Sequence, residues 1–322
     1  QQPQVLPLVH PVLLKGQGLT IERPARSRGT AVGVVASGAA LALALLLVVR
    51  GLGWPTSLPA FIAYAGAGMM MAVAAAFVFW TWCCITMRYI VGPAGVTIRW
   101  GPVRHQIPIS RIEAITAGRL EQNPRNRGIG WTGYHVGEGR AGDWDRVLFF
   151  STHRTPEEIV YVSTADTAYA ISPRDPARFA TEIQRFYQAA AAEDTGVSRE
   201  GPSVERDFVA SHPIWTDRTA QLLVFLGVVI NVALWGYIFG NYPHLNNQIT
   251  IQFPPIGSIT TLHSRYAILK IPATATAILG VNLFASLLFQ PRERAATYLL
   301  LTGTLFLQLA FLISAVVAIL NS

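Results

Sequence analysis

The residues that could do chemistry are few and scattered. Ser151-Thr152-His153 sets a hydroxyl two positions from an imidazole, the pairing by which a base activates a nucleophile. No Gly turn of the oxyanion-forming kind adjoins it. Asp143/Asp145 and Glu157/Glu158 bring carboxylates together, as acid–base work requires, but in a charge-balanced neighbourhood they read as solvated pairs. Cys83-Cys84 could ligate metal, cycle as a redox pair or carry lipid. There is no third Cys and no adjacent His, so plain packing is expected. The seven His (10, 105, 135, 153, 212, 244, 263) stand outside the centres of the apolar runs, which disfavours haem or pigment held by histidine; ligation through backbone or water stays open. Gly128-Ile-Gly130 and Gly137-Glu-Gly139 suggest a phosphate cradle, yet no strand precedes and no helix N-terminus follows. No catalytic set, metal site or cofactor is read.

The candidates for binding are of two kinds. The Gly-rich stretch 118–146 carries Trp131, Tyr134 and Trp144. Exposed Trp and Tyr are frequent interface anchors. The stretch reads either as an ordinary long loop pinned by aromatics or as a loop that docks a partner or a lipid. Small residues recur every fourth position at Gly29, Gly33 and Ser37, and again at Gly68, Ala72 and Ala76. Such faces let helices approach closely, either each other or another protein.

The elements that must carry these residues follow from where charge is missing. The chain has 322 residues with 25 Lys+Arg and 18 Asp+Glu, so 13% are charged, against about 25% in soluble proteins. Hydrophobic residues make up 51% and mean hydropathy is +0.37, which excludes a disordered chain. Gly29–Val49, Gly51–Met87, Thr219–Ser264, Ile271–Gln290 and Ala295–Ser322 hold no Asp, Glu, Lys or Arg. A membrane-spanning helix needs roughly 20 mostly apolar residues. Five are expected, at 30–49, 59–83, 219–240, 271–289 and 295–320. The first is too long for the core of a cleaved signal, so a retained signal-anchor is expected. Trp54, Trp80, Trp82, Trp215 and Trp235 fall near the expected boundaries, as an aromatic belt does. With the N-terminus inside, 22 Lys and Arg lie on the inner side and only Arg50, Arg265 and Lys270 on the outer. That orientation puts the C-terminus outside. The net charge of +7 and pI near 9.7 suggest nucleic acid at first. The segment from Thr86 to Asp207, however, balances fifteen Arg with fifteen Asp+Glu, and the concentrated basic face is missing.

Between the second and third apolar runs lies one stretch large enough to fold by itself. Arg88–Val91, Gly95–Trp100 and Val103–Pro108 read as strands separated by Gly-Pro turns. Ile109, Ile112 and Ile115 suggest a further strand, and Arg146–Ser151, Ile159–Thr164 and Thr167–Ile171 have strand composition. Ser172-Pro173-Arg174-Asp175-Pro176 then opens a helix whose Phe179, Ile183, Phe186 and Tyr187 share one face. A small barrel closed at one end by an amphipathic helix fits this order. Met87–Ile112 resembles the opening of the bacterial pleckstrin-homology-like (PH-like) domain. Tyr169-Ala-Ile-Ser-Pro-Arg-Asp-Pro-Ala-Arg-Phe179 resembles that family's entry into its final helix. The resemblance covers 86–192 and implies a strongly bent seven-stranded barrel capped by a helix; it implies little about activity, since the fold serves lipid binding, protein binding and oligomerisation alike. Tyr242-Pro243…Ile249-Thr-Ile-Gln-Phe253…Gly257 is similar to a short uncharacterised bacterial membrane domain, with Thr250 and Gln252 where that pattern has Pro and His.

The sequence therefore reads as an α+β membrane protein of five transmembrane helices with an inserted PH-like barrel. Residues 1–28 form a cytoplasmic segment, 29–85 a transmembrane hairpin, 86–192 the PH-like domain, 193–218 a linker and 219–322 a three-helix membrane region with outer loop 241–270. No ionisable residue sits within a span, where a pump or ion-coupled transporter usually has one. Asn231, Asn282 and Gln308 are the polar residues there, and helix-to-helix hydrogen bonds account for them. The expected protein is non-enzymatic and resides in the bacterial inner membrane. It serves as scaffold or accessory subunit of a larger complex, with other membrane proteins and the bilayer as partners. A lipid or envelope sensor and a small-molecule permease are the alternatives.

Overall fold

In the computed structural model the described residues are 19–118, 125–141, 144–153, 155–192, 202–206, 212–251 and 261–320. Asp143, Lys15, most of the 193–218 linker and the Phe253–Gly257 part of the outer loop lie outside them. The chain forms two compact units, residues 1–39 with 74–210 and residues 40–73 with 211–322.

The elements in chain order are β1 (Thr20–Glu22), α1 (Ser27–Leu52), α2 (Leu58–Thr86), β2 (Arg88–Gly92), β3 (Gly95–Trp100), β4 (Val103–Pro108) and β5 (Ala114–Ala117). Then come β6 (Arg125–Trp131), β7 (Tyr134–Ala141), β8 (Trp144–Ser151), β9 (Val160–Ser163), β10 (Ala168–Ile171), α3 (Pro176–Ala192) and β11 (Ser203–Arg206). The last are α4 (Arg218–Asn241), β12 (Gln248–Ile251), β13 (Thr261–Ser264), α5 (Lys270–Phe289) and α6 (Arg294–Leu320). Among the described residues, five of the six α-helices are long and apolar enough to cross a membrane. Each contains one of the apolar runs, extended slightly into the flanking residues.

In the first unit the expected barrel is corrected. The strands form two sheets, ordered β1-β2-β3-β4-β11 and β5-β9-β10-β8-β7-β6, with no pairing between them among the described residues. Closure needs β4 to continue its ladder onto the next strand. Instead a 3-10 turn, Ile109–Arg111, carries the chain away, and β11 takes the outer edge of β4. Of the three isoleucines, Ile109 lies in that turn and Ile112 caps it, while Ile115 lies in β5, which pairs with β9 in the other sheet. The sheets are held by one apolar core that includes Tyr89, Val91, Ile98, Ile107, Tyr134, Phe150, Val162 and Ile171.

Helix α3 closes this core. Asp175 Oδ1 accepts from the Arg178 backbone N–H at 3.0 Å, with Pro176 following at the first helical position. Phe179, Ile183 and Phe186 are then buried on one face. The residues before the helix lock its start. Tyr89 Oη donates to the Phe150 carbonyl at 2.6 Å and accepts from the Ser172 backbone N–H at 3.2 Å. Ser172 Oγ accepts from the Thr152 N–H at 2.6 Å. The strand-end motif therefore knits β2, β8 and β10 together.

In the second unit α4 and α5 each pack against α6. The β12–β13 hairpin adds Ile249 to an apolar cluster with Leu234, Ile238, Tyr242, Ile268, Ala275 and Ala315.

Candidate functional site

Within the stretch expected to be a loop, residues 125–141 form a hairpin. β6 and β7 pair from Arg125↔Arg140 to Trp131↔Tyr134. The two-residue turn is Thr132-Gly133, with Gly133 at φ +81°, the backbone such a turn demands. Register makes Trp131 and Tyr134 face each other at the tip, ring centroids 4.6 Å apart. Tyr134 is fully buried, its Oη accepts from Trp100 Nε1 at 2.7 Å, and burial pushes its pKa up.

The tip of this hairpin is docked on helices of its own unit. Trp131 Nε1 donates to the Gly29 carbonyl at 2.9 Å. Its ring lies 5.7 Å from Phe77 and 6.4 Å from Trp80 of α2. A Cβ on Gly29 would stand 2.3 Å from the Gly133 carbonyl oxygen, so the approach requires glycine. The Arg26 guanidinium donates to the Ile85 carbonyl. Trp131 and Tyr134 thus spend their surface within the chain. Trp144, half-buried at the start of β8, lies with its ring 5.4 Å from that of Tyr161, tilted by 30°, in an apolar cluster with Val147, Phe149 and Ile159.

The two rows of small residues separate. Gly29, Gly33 and Ser37 are buried, and a Cβ on Gly33 would lie 2.0 Å from Thr81 Oγ1 of α2. That row packs α1 on α2. On α2 the buried positions are Ala60, Ala63, Ala67, Ala74, Thr81, Cys83 and Cys84. The other row points away from them: Ala72 is exposed, Ala76 is half-buried, and a Cβ on Gly68 would meet nothing within 4 Å.

The polar residues between helices satisfy one another. Asn231 Nδ2 donates to Gln308 Oε1 at 3.0 Å, and Gln308 Nε2 to the Ala275 carbonyl at 2.7 Å. Trp235 Nε1 donates to Thr276 Oγ1 at 2.9 Å, which donates to Asn231 Oδ1 at 3.1 Å. Asn282 Nδ2 donates to Thr304 Oγ1 at 2.8 Å. Sequence reasoning found the amides and missed Thr276, whose hydroxyl looks like any other in a helix.

It also missed Asp217, which joins three helices. Asp217 caps α4 through the Ala220 N–H at 3.0 Å. Its other oxygen accepts from Tyr298 Oη at 2.9 Å and Gln290 Nε2 at 3.2 Å. The Ala220 amide foremost, then Tyr298 and Gln290, hold the carboxyl below its usual range against the opposing effect of partial burial. Its signal was an Asp immediately before an apolar helical run.

Ser151 and His153 do meet, Oγ to Nδ1 at 2.7 Å. His153 stacks on His135 at 4.2 Å. Burial, and then the neighbouring His135, lower His153 to about 4; burial lowers His135 too. Both imidazoles are neutral at pH 7. Among the described residues no three His, Cys, Asp or Glu gather as a metal would need.

With this geometry in view, comparison with known proteins bears on one segment. Residues 87–186 match the family model of the bacterial PH domain. That segment runs from the start of β2 into α3, and the five apolar helices lie outside it. No curated protein and no solved structure matches the chain. A PH-like segment together with five apolar helices fits a membrane-associated protein.

Proposed function

We propose that this chain is a five-span inner-membrane protein of a bacterium, with its N-terminus and PH-like part cytoplasmic and its C-terminus outside. It works without catalysis, as a scaffold or accessory subunit of a larger membrane complex. One observation carries the reading. The helices hide small and polar groups inward and bare large apolar ones: Val35, Phe225, Val281, Leu299 and Phe306 are each more than 60% exposed. In water such surface is costly, at about 25 cal/mol per Å²; lipid or partner helices remove that cost. The interior amides are bonded to groups on neighbouring helices, as in a static bundle, and no ionisable side chain is found in the middle of the described spans. This supports a bundle that holds position rather than one that passes a solute.

The reading is tested by solubilising native membranes in mild detergent and running native gels. Co-migration with other membrane proteins is expected, and a clean monomer at native abundance would sink the subunit role. The packing of Trp131 against α1 and α2 and the burial of Tyr134 count against a lipid-sensing role for those two side chains. Flotation of the full chain with vesicles of varied headgroup distinguishes what remains of it.

A further inference from the structure

The matched segment contains β2, β3 and β4, and strands from outside the match cover both outer edges of that trio. On β4 the covering strand is β11, in antiparallel register from Ser203↔Gln106 to Arg206↔Val103. Residues 202–205 are all exposed, including Val204 at 46%, so burial contributes little. Glu205 supplies side-chain links: Oε2 meets Arg104 Nη1 at 3.3 Å and Oε1 accepts from Gln106 Nε2 at 3.3 Å. An exposed ion pair adds little strength, but it selects an acid at one register position. The main-chain groups of a strand edge accept any extended segment.

We propose that the outer edge of β4 is a strand-addition site for an extended segment of a partner protein carrying an acidic residue opposite Arg104 and Gln106. Ser203–Arg206 fill the site in cis and give way to that segment. This rests on the docking reading above and names its surface and its partner class. A tethered occupant acts at millimolar effective concentration, so the site is closed to weak competitors and open to a segment with further contacts of its own.

The test uses the full chain in detergent and a labelled peptide of residues 202–207. Val204→Pro with Glu205→Pro removes the cis strand whichever of the two N–H groups faces β4, and both positions are exposed, so folding is retained. The peptide should bind this variant and bind the unaltered chain roughly ten-fold or more weakly. Adding Arg104→Glu should weaken binding about five-fold, and a peptide with Glu205→Arg should restore it. Equal affinity for both chains overturns the proposal. So does failure to bind the variant while hydrogen exchange shows the 103–106 amides opened. Unchanged protection of those amides in the variant also overturns it, because the edge is then not held by β11. Peptide binding with no co-migrating partner keeps the edge and overturns the subunit reading; the converse pair of results does the opposite.

Discussion

Two glycines of similar sequence context have opposite duties. Gly33 sits where a Cβ would lie 2.0 Å from Thr81 Oγ1, whereas a Cβ on Gly68 meets nothing within 4 Å. Gly33→Leu should therefore lower stability by about 1–3 kcal/mol through overpacking, and Gly68→Leu should leave it nearly unchanged. Thermal unfolding in detergent separates them, and equal losses would refute the assignment of the faces. His153 gives a pH test. Its folded pKa is about 4 against an ordinary 6.5, so the unfolded chain binds more protons between those values. Stability is then full above pH 6.5 and falls as pH drops towards 4. His153→Asn should flatten that slope in a melting-temperature series; an unchanged slope places its origin elsewhere. Tyr89 joins two strands and the Ser172 turn through one hydroxyl. Tyr89→Phe should cost about 1–3 kcal/mol, since buried backbone groups lose their partner.

At the scale of elements, the polar ladder between α4, α5 and α6 decides register more than strength. Asn231→Leu strands Gln308 Oε1 without its donor and frees Thr276. Measured interhelical hydrogen bonds average about 0.6 kcal/mol and reach about 1.7. A loss in that range is expected in unfolding of the purified chain, and a gain in stability would show that the ladder is expendable. Asp217 acts at the other level, as a cap that reaches Tyr298 and Gln290. The hairpin β6–β7 shows how an element can be hidden from composition. Its inward residues include Gly139 and Ala141 beside Tyr134 and Val136, too small to produce a visible apolar alternation. A bulge between Gly139 and Ala141 further blurs the period.

At the scale of the molecule the question is which side of a membrane each part occupies. The proposed topology predicts that cysteines placed at residues 56 and 246 are labelled from outside by an impermeant reagent in intact cells, and one at residue 166 only after permeabilisation. The reverse pattern would invert the reading of the Lys and Arg distribution.

Length and charge alone determined the five apolar helices, because burying or spanning twenty uncharged residues leaves few other solutions. The end motifs of the PH-like segment were equally legible: turn glycines, the Asp175-Pro176 start and the Phe179/Ile183/Phe186 face are local signals. Sheet closure was not local. Whether β4 pairs onward depends on β11, which is almost a hundred positions away, and no pattern within either strand records that choice. The use of the small-residue rows was equally hidden. Gly29-x3-Gly33 and Gly68-x3-Ala72 are the same signal in sequence, and only the neighbours supplied by the fold, Gly133 and Thr81 for one and nothing for the other, tell a filled face from an open one.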